Sequence, residues 1–282
     1  MAGVHIVCDS TADLDRAYRG AHDVRVVPLK VIFGDEVLAD GEDIDAPGFY
    51  RRLRTSKTHP RTSQPTPAEF EAAFRDLGSD GGTVICTTIS ADLSGSFASA
   101  QQARAALPEL DIRVIDSRSA AVGHQALVRQ AVRVAEAGGD AAAVEAGLAA
   151  VSATMELIFT VETLEYLRRG GRIGGARALL GSMLDIKPIL ELGSGVIEPV
   201  DRVRTYPRAL SALADAVTSA AKKWGGATVL IAHADKPDVA TAMAAKLRPA
   251  AGQDPVIADV GPVIGVHSGP GAIGIAYHQP IS

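Results

Sequence analysis

Along its first 120 residues the chain repeats one pattern: a short apolar run, a polar loop rich in acids or hydroxyls, then a stretch with helical spacing. Val4 to Cys8 is followed by Asp9-Ser10-Thr11, a helix-start signal. Thr83 to Ile89 is followed by the loop Ser90–Ser96 and a helix carrying Phe97, Ala100 and Leu107. Ile112 to Ile115 runs into Asp116-Ser117 and a long helix. Between them, Thr66-Pro67-Ala68-Glu69 has capping-box spacing with proline at the first helical position, and Phe70, Phe74 and Leu77 supply the apolar stripe. Val24 to Phe33 reads as a second β-rich stretch turning at Gly34-Asp35. Strands alternating with helices in this rhythm predict a parallel sheet covered on both faces.

From about Ala141 the pattern changes. An alanine-rich helix leads to a strand at Leu157–Val161, and Gly193-Ser194-Gly195 between apolar runs signals a hairpin over Ile189–Val203. A helix opens at Pro207 with Leu210, Leu213, Val217 and Trp224 on one face. A strand at Thr228–Ala232 and a helix at Pro237–Leu247 follow, and the last 30 residues read as strands broken by glycines. The expectation is two α/β domains, residues 1–153 with a parallel sheet flanked by helices and 154–282 with a smaller mixed sheet. At 47% hydrophobic and 22% charged residues the chain can bury a sizeable core, which excludes disorder, collagen and coiled coil. A net charge of −5 argues against nucleic-acid or anionic-membrane binding. The two cysteines, Cys8 and Cys86, lie in strand-like runs and suit a reducing interior. With no basic leader before an apolar stretch and no long apolar run, a cytoplasmic monomer without stable membrane insertion is expected.

Four segments could carry chemistry. In Thr62-Ser63-Gln64-Pro65-Thr66, capping accounts for Thr66 but not for Thr62 and Ser63. The loop Ser90–Ser96 joins a strand end to a helix N-terminus, where free N–H groups, Ser94, Ser96 and the close-approach residue Gly95 fit an anion such as a carboxylate or phosphate; simple N-capping is the plainer reading. Gly261–Gly274 places His267 beside Ser268-Gly269-Pro270-Gly271, a backbone a ligand could approach, although glycines there could serve turns alone. Arg168 to Gly175 is basic and glycine-rich, and Arg202 and Arg204 form a second basic cluster; either is a solvated loop or a docking patch for an acidic or phosphorylated partner. The chain lacks GxxxxGK[ST], lacks a GxSxG elbow, and follows its first strand with CDSTADL rather than GxGxxG. Its aspartates show no ligand spacing for a metal. It is better equipped to hold an anion than to attack a substrate.

Taken in order, Asp9-Ser10-Thr11-Ala12-Asp13-Leu14, Thr62-Ser63-Gln64-Pro65-Thr66, Leu93-Ser94-Gly95-Ser96, Ile115-Asp116-Ser117 and Thr163–Leu167 resemble the DegV family of bacterial fatty-acid-binding proteins, and Gly170–Ile173, Ile186–Leu190, Val203-Arg204-Thr205 and His267–Gly271 continue the likeness. The resemblance implies an apolar ligand tunnel at the junction of the two domains. In it a long-chain fatty acid would lie with its carboxylate held by Thr62, Ser94 and His267, and with Ser63, Gly95, Ser96 and Gly269 as secondary contacts. It also implies an acyl carrier for phospholipid synthesis with no cofactor and no chemistry of its own, which presents the lipid to a separate ATP-dependent fatty acid kinase. Arg172 and Arg204 would then be docking residues. Gly174 stands where the family commonly has serine after GGRI, so a contact from that hydroxyl is not implied here. Two other readings stay open: an acyl- or phosphoryl-transfer enzyme using Ser94 and His267, and a lipid-sensing regulatory module.

Overall fold

The computed structural model describes residues 3–182 and 186–281. The chain runs through β1 (Val4–Asp9), α1 (Arg16–Ala21), β2 (Arg25–Val27), β3 (Lys30–Phe33), β4 (Glu36–Ala39), α2 (Ala46–Thr55), β5 (Arg61–Ser63) and α3 (Pro67–Gly78). It continues with β6 (Thr83–Thr88), α4 (Ser96–Ala105), β7 (Ile112–Asp116), α5 (Ala121–Glu136) and α6 (Ala141–Ser152). Then come β8 (Glu156–Thr160), α7 (Glu165–Arg169), a 3-10 stretch at Gly174–Ser182, β9 (Lys187–Gly193), β10 (Val196–Val203) and α8 (Tyr206–Trp224). The last elements are β11 (Thr228–His233), α9 (Pro237–Ala251), β12 (Val256–Asp259), α10 (Pro262–Ser268) and β13 (Ile273–His278).

The first sheet has the order β2-β1-β6-β7 and is parallel throughout, as the alternating pattern requires. The two-residue period of its strands divides the core. Val7, Val84 and Cys86 pack against Phe70 and Phe74 of α3 and Ala100 and Ala103 of α4. Ile6, Cys8 and Ile85 face the opposite way, onto Leu127 and Val128 of α5 and Val144 and Leu148 of α6. The β-rich stretch from Val24 to Phe33 holds two strands, β2 and β3. The break falls at Pro28, which cannot donate to a ladder, so β2 stays in the parallel sheet and β3 enters a separate antiparallel sheet, β4-β3-β5. That small sheet places Thr62 opposite Val31 and Ser63 opposite Lys30.

The second large sheet has the order β10-β9-β8-β13-β11-β12 and is mixed, with only β11 and β12 parallel. Its six strands against four correct the expectation of a smaller sheet. The extra width comes from the β9–β10 hairpin and from β13, which returns between β8 and β11. The hairpin turns on Ser194 and Gly195, both with positive φ (52° and 91°), the geometry that matches strand twist in tight turns. On one face Ile158, Ile231 and Ile275 meet Leu213 and Val217 of α8 and Leu247 of α9. The other face, with Leu157, Leu190, Leu192 and Ala232, turns toward Leu29, Phe49 and Tyr50 of the first half. A second correction concerns the C-terminal segment. Pro262–Ser268 is a helix rather than part of a strand run, with proline near its start and Gly269 at φ 73° after its end.

Candidate functional site

A cavity opens between the two halves, lined mostly by apolar side chains. Its apolar wall is assembled from distant elements: Leu29 from the first half, Ile89 beyond β6, Leu157 and Phe159 on β8, Leu192 on β9 and Ile197 on β10. Room for an occupant comes from Ala120, Ala121, Ala232, Ala272 and Gly274, where larger side chains would fill the space. The Asp-Ser-Thr segment after β1 supports this architecture. The fully buried Asp9 carboxylate accepts from the Thr11 amide (3.0 Å), the Thr11 hydroxyl (2.5 Å) and the Ile89 amide (2.8 Å), tying the exit of β1 to the exit of β6. His124 completes the cluster, buried between Thr87 (2.9 Å) and Thr11 (3.3 Å), and burial lowers its proton affinity.

The polar side chains of the cavity come from loops far apart in sequence. Thr62, Ser94 and His267 all line it, together with Gln64, Arg172 and Ser268. Thr62 Oγ1 lies 2.9 Å from His267 Nε2, a contact between residues 205 positions apart. His267 Nδ1 is buried and without a hydrogen-bond partner. The backbone of Gly170 packs against the imidazole so closely that a Cβ there would fall 2.0 Å from Nδ1. Arg172 reaches across to the serine loop, its Nε donating to the Leu93 carbonyl (3.0 Å) and its Nη1 to the Gly170 carbonyl (2.7 Å). The motifs TSQP, LSGS, GGRI and HSGPG therefore meet at one polar rim.

Electrostatics at the rim favour an incoming anion. Burial pushes the His267 imidazole down to about 4, and the positive charges of Arg172 and His59 push the same way. The free protein therefore holds a neutral histidine beside a fixed guanidinium at neutral pH. An anion placed there would reverse the second effect by screening Arg172 and attracting a proton to the ring.

The remaining expected residues take different places. Ser94 Oγ and Ser96 Oγ are 3.0 Å apart, with Ser96 fully buried at the start of α4. Gly95 is the N-cap of α4, and a Cβ there would meet the Gln64 amide at 2.7 Å. Ser63 follows Thr62 on β5 and is not among the lining residues, in keeping with strand alternation. Gly269, at φ 73°, lies against Tyr166, whose ring a Cβ would approach to 2.3 Å. Arg204 is exposed beyond the end of β10 and does not line the cavity, whereas Arg172 does. Gln64 and Ser268 belong to the rim without having been singled out, although both lie inside quoted motifs. His59, beside Tyr166 at 5.6 Å between ring centres, had no sequence signal. Ser94 pairs with Ser96, and His267 pairs with Thr62. Among the described residues no group of three or more His, Cys, Asp or Glu side chains could hold a metal ion, and no helix is long and apolar enough to cross a membrane.

Comparison with known proteins converges on one family. A DegV domain-containing protein of Streptomyces coelicolor is 38% identical over 278 residues, covering 96% of this chain and 97% of its own. A DegV family protein of Thermus thermophilus, described by its fatty acid binding, superimposes with a TM-score of 0.93 at 31% identity, over 99% of this chain and 100% of that one. A stearic acid-binding protein of Eubacterium ventriosum gives 0.88 at 28% identity, covering 99% and 98%. The family model described as "Uncharacterised protein, DegV family" matches residues 3–279. With the four motifs meeting at one rim and the match running almost end to end, the chain belongs to the DegV family.

Proposed function

We propose that this protein binds a long-chain fatty acid in the cavity between its halves, with the carboxylate held at the rim by Thr62, Ser94 and His267, and that it hands the acid to a separate ATP-dependent fatty acid kinase. The observation that carries the reading is an apolar cavity joined to a rim of hydroxyls, an imidazole and a guanidinium. Burying each methylene contributes about 0.8 kcal/mol, so a long acyl chain brings on the order of 10 kcal/mol of gross driving force before ordering costs. A carboxylate leaving water needs several donors in exchange, and the rim supplies them. The fatty acid binding of the Thermus thermophilus and Eubacterium ventriosum proteins supports the ligand class. The carrier role, the kinase, a cytoplasmic monomer and the absence of catalysis and cofactor are part of the proposal; they rest on family resemblance. The domain division at residues 153 and 154 is proposed with them, and the chain passes between its two large sheets after α6, between Ser152 and Glu156.

Mass spectrometry of an organic extract from freshly purified protein tests the ligand. A near-stoichiometric long-chain acid is expected; an empty or nucleotide-loaded protein would sink the reading. The carrier step is tested by adding the cognate kinase and ATP to the loaded protein and following acyl phosphate.

A further inference from the structure

Helix α10 carries His267 at its C-terminal end and lends Val263 and Ile264 to the cavity wall, yet it has only seven residues. A helix this short does not hold itself together and depends on its docking. Its N-cap is Gly261, which has no side chain to satisfy the first amides. Two carboxyl groups from the first half of the chain lie beside that uncapped start. A Cβ on Gly261 would fall 2.4 Å from Asp13 Oδ1 and 3.6 Å from Asp40 Oδ1, so both carboxyl groups press on the start of the helix. The Gly261 amide beside Asp13 and the Val263 amide beside Asp40 each favour the ionised carboxylate. Asp40 is wired onward to the cavity. Ser10 Oγ donates to its Oδ2 (2.7 Å) and accepts from the Leu29 amide (3.1 Å), the Asp40 amide donates to the Leu29 carbonyl (2.9 Å), and Leu29 lines the cavity. On its flank, α10 is held by Phe49 and Tyr50, which a Cβ on Gly265 would approach to 2.7 and 2.8 Å.

We propose that Asp13 and Asp40 are positioning residues: a proton-sensitive latch that docks the His267 helix on the first half of the chain and thereby sets how fast a bound lipid leaves. The lipid part of this statement rests on the function proposed above; the docking part does not.

The surroundings give the latch its sign. Asp40 is 3% exposed and faces Asp9 at the end of β1, Asp13 and, from α1, Arg19. Asp13 faces Asp40, Asp9 and, from the end of β12, Asp259, and its Oδ2 is buried without a partner. Arg16, Glu42, Asp43, Asp45 and Arg129 line the cleft around them. Burial, with neighbouring carboxylates adding to it, outweighs the opposing helix amides and Ser10 hydroxyl; it raises Asp40 to about 7 and raises Asp13 well above the usual carboxylate range. A carboxyl whose proton affinity is higher docked than undocked favours docking in its protonated form. Docking is therefore tightest below the ordinary carboxylate range, weakens as pH rises toward 7, and is level above it. In the free protein the proton affinity of His267, at about 4, lies below this window.

The test uses the whole protein and two readouts at pH 5.5 and 7.5: hydrogen exchange of peptides spanning residues 260–270, corrected for intrinsic rates, and release of cis-parinaric acid followed by fluorescence. In the wild type, helix protection should fall and release should accelerate about tenfold between the two pH values. Asp40→Asn, which keeps an acceptor but cannot ionise, should show high protection and slow release at both. Because the probe's own carboxylate titrates equally in both proteins, the difference between them isolates Asp40. Ser10→Ala, a milder change, should move the midpoint to higher pH, since the serine hydroxyl favours the ionised form. Helix protection that ignores pH in the wild type, or an Asp40→Asn profile equal to the wild type, overturns the latch. Exchange behaving as expected with no acid bound by any variant supports the latch and overturns the lipid reading instead.

Discussion

The wall and the rim of the cavity are built on opposite principles. The wall takes single side chains from many elements, among them Leu29, Leu157, Leu192 and Ala232, and any one of them contributes little more than shape. The rim takes a few polar side chains from four contiguous motifs, and Thr62, Ser94, Arg172 and His267 each have a distinct partner. Methylene burial adds up along a chain, whereas a hydrogen bond to a charged group is worth about 1.5–3 kcal/mol and is directional. Affinity should therefore reside in the wall and orientation in the rim.

The largest effect should come from closing the wall. Ala232, 1% exposed on β11, lines the cavity, and Ala232→Phe would put a ring into the space an acyl chain needs. Overfilling typically costs 1–3 kcal/mol of stability, or several degrees in Tm, which the fold should survive. The purified variant is expected to come without long-chain acid, with affinity down at least about a hundredfold. A variant still carrying a stoichiometric long-chain acid would remove Ala232 from the wall.

Next come the rim hydroxyls. Thr62→Ala and Ser94→Ala should each weaken a free fatty acid about ten- to a hundredfold and its methyl ester much less. Gly170→Ala should act the same way, because its Cβ would displace the His267 ring. Titration of both ligands decides the matter: equal losses for acid and ester would mean that these positions shape the wall rather than read the carboxylate.

The same contrast governs what was legible in the sequence. Thr62, Ser94 and His267 sit in motifs whose turn, glycine and hydroxyl content has a local cause, so they could be singled out before their convergence was visible. The wall could not, because Leu29 or Ala232 looks like any core residue until the sheets are placed. The parallel sheet followed from the strand–loop–helix rhythm, and the β9–β10 hairpin from Gly193-Ser194-Gly195. The small β4-β3-β5 sheet was hidden because Pro28 interrupts a continuous apolar run, and nothing local says that the halves of that run join different sheets. Helix α10 was hidden by its glycines. Gly265 reads as a breaker, but it is there because Phe49 and Tyr50 leave no space for a side chain.

A smaller effect concerns the proton on His267. In the free protein its proton affinity is depressed to about 4, so the ring is neutral from mildly acidic pH upward. A carboxylate beside it raises that value, and binding then takes up protons at pH values between the free and bound ones, with no uptake above the bound value. Calorimetry near pH 5 to 6 in buffers of different ionisation enthalpy should detect the uptake, and Asp40→Asn as the background keeps the latch out of the measurement. His267→Gln should abolish it. Buffer-independent heats across that range would leave histidine as a neutral donor.

The smallest difference separates the two arginines that sequence alone treats alike. Arg172 lies on the rim, depresses the proton affinity of His267 and braces the Leu93 carbonyl, but it is exposed, so solvent and salt weaken its charge. Arg204 is exposed and does not line the cavity. Arg172→Ala should therefore lower fatty acid affinity about threefold, within the range of exposed ion pairs, and raise the proton affinity of His267. Arg204→Ala should leave lipid content and affinity unchanged. If both arginines also dock the kinase, both variants should slow acyl-phosphate formation, with Arg204→Ala doing so from a fully loaded carrier. Lipid content by extraction, read beside kinase-coupled ATP consumption, separates these contributions. Loss of lipid from Arg204→Ala would place that residue in the structural framework of the cavity. Equal lipid affinity in wild type and Arg172→Ala would show that the rim reads a carboxylate through its hydroxyls and imidazole alone.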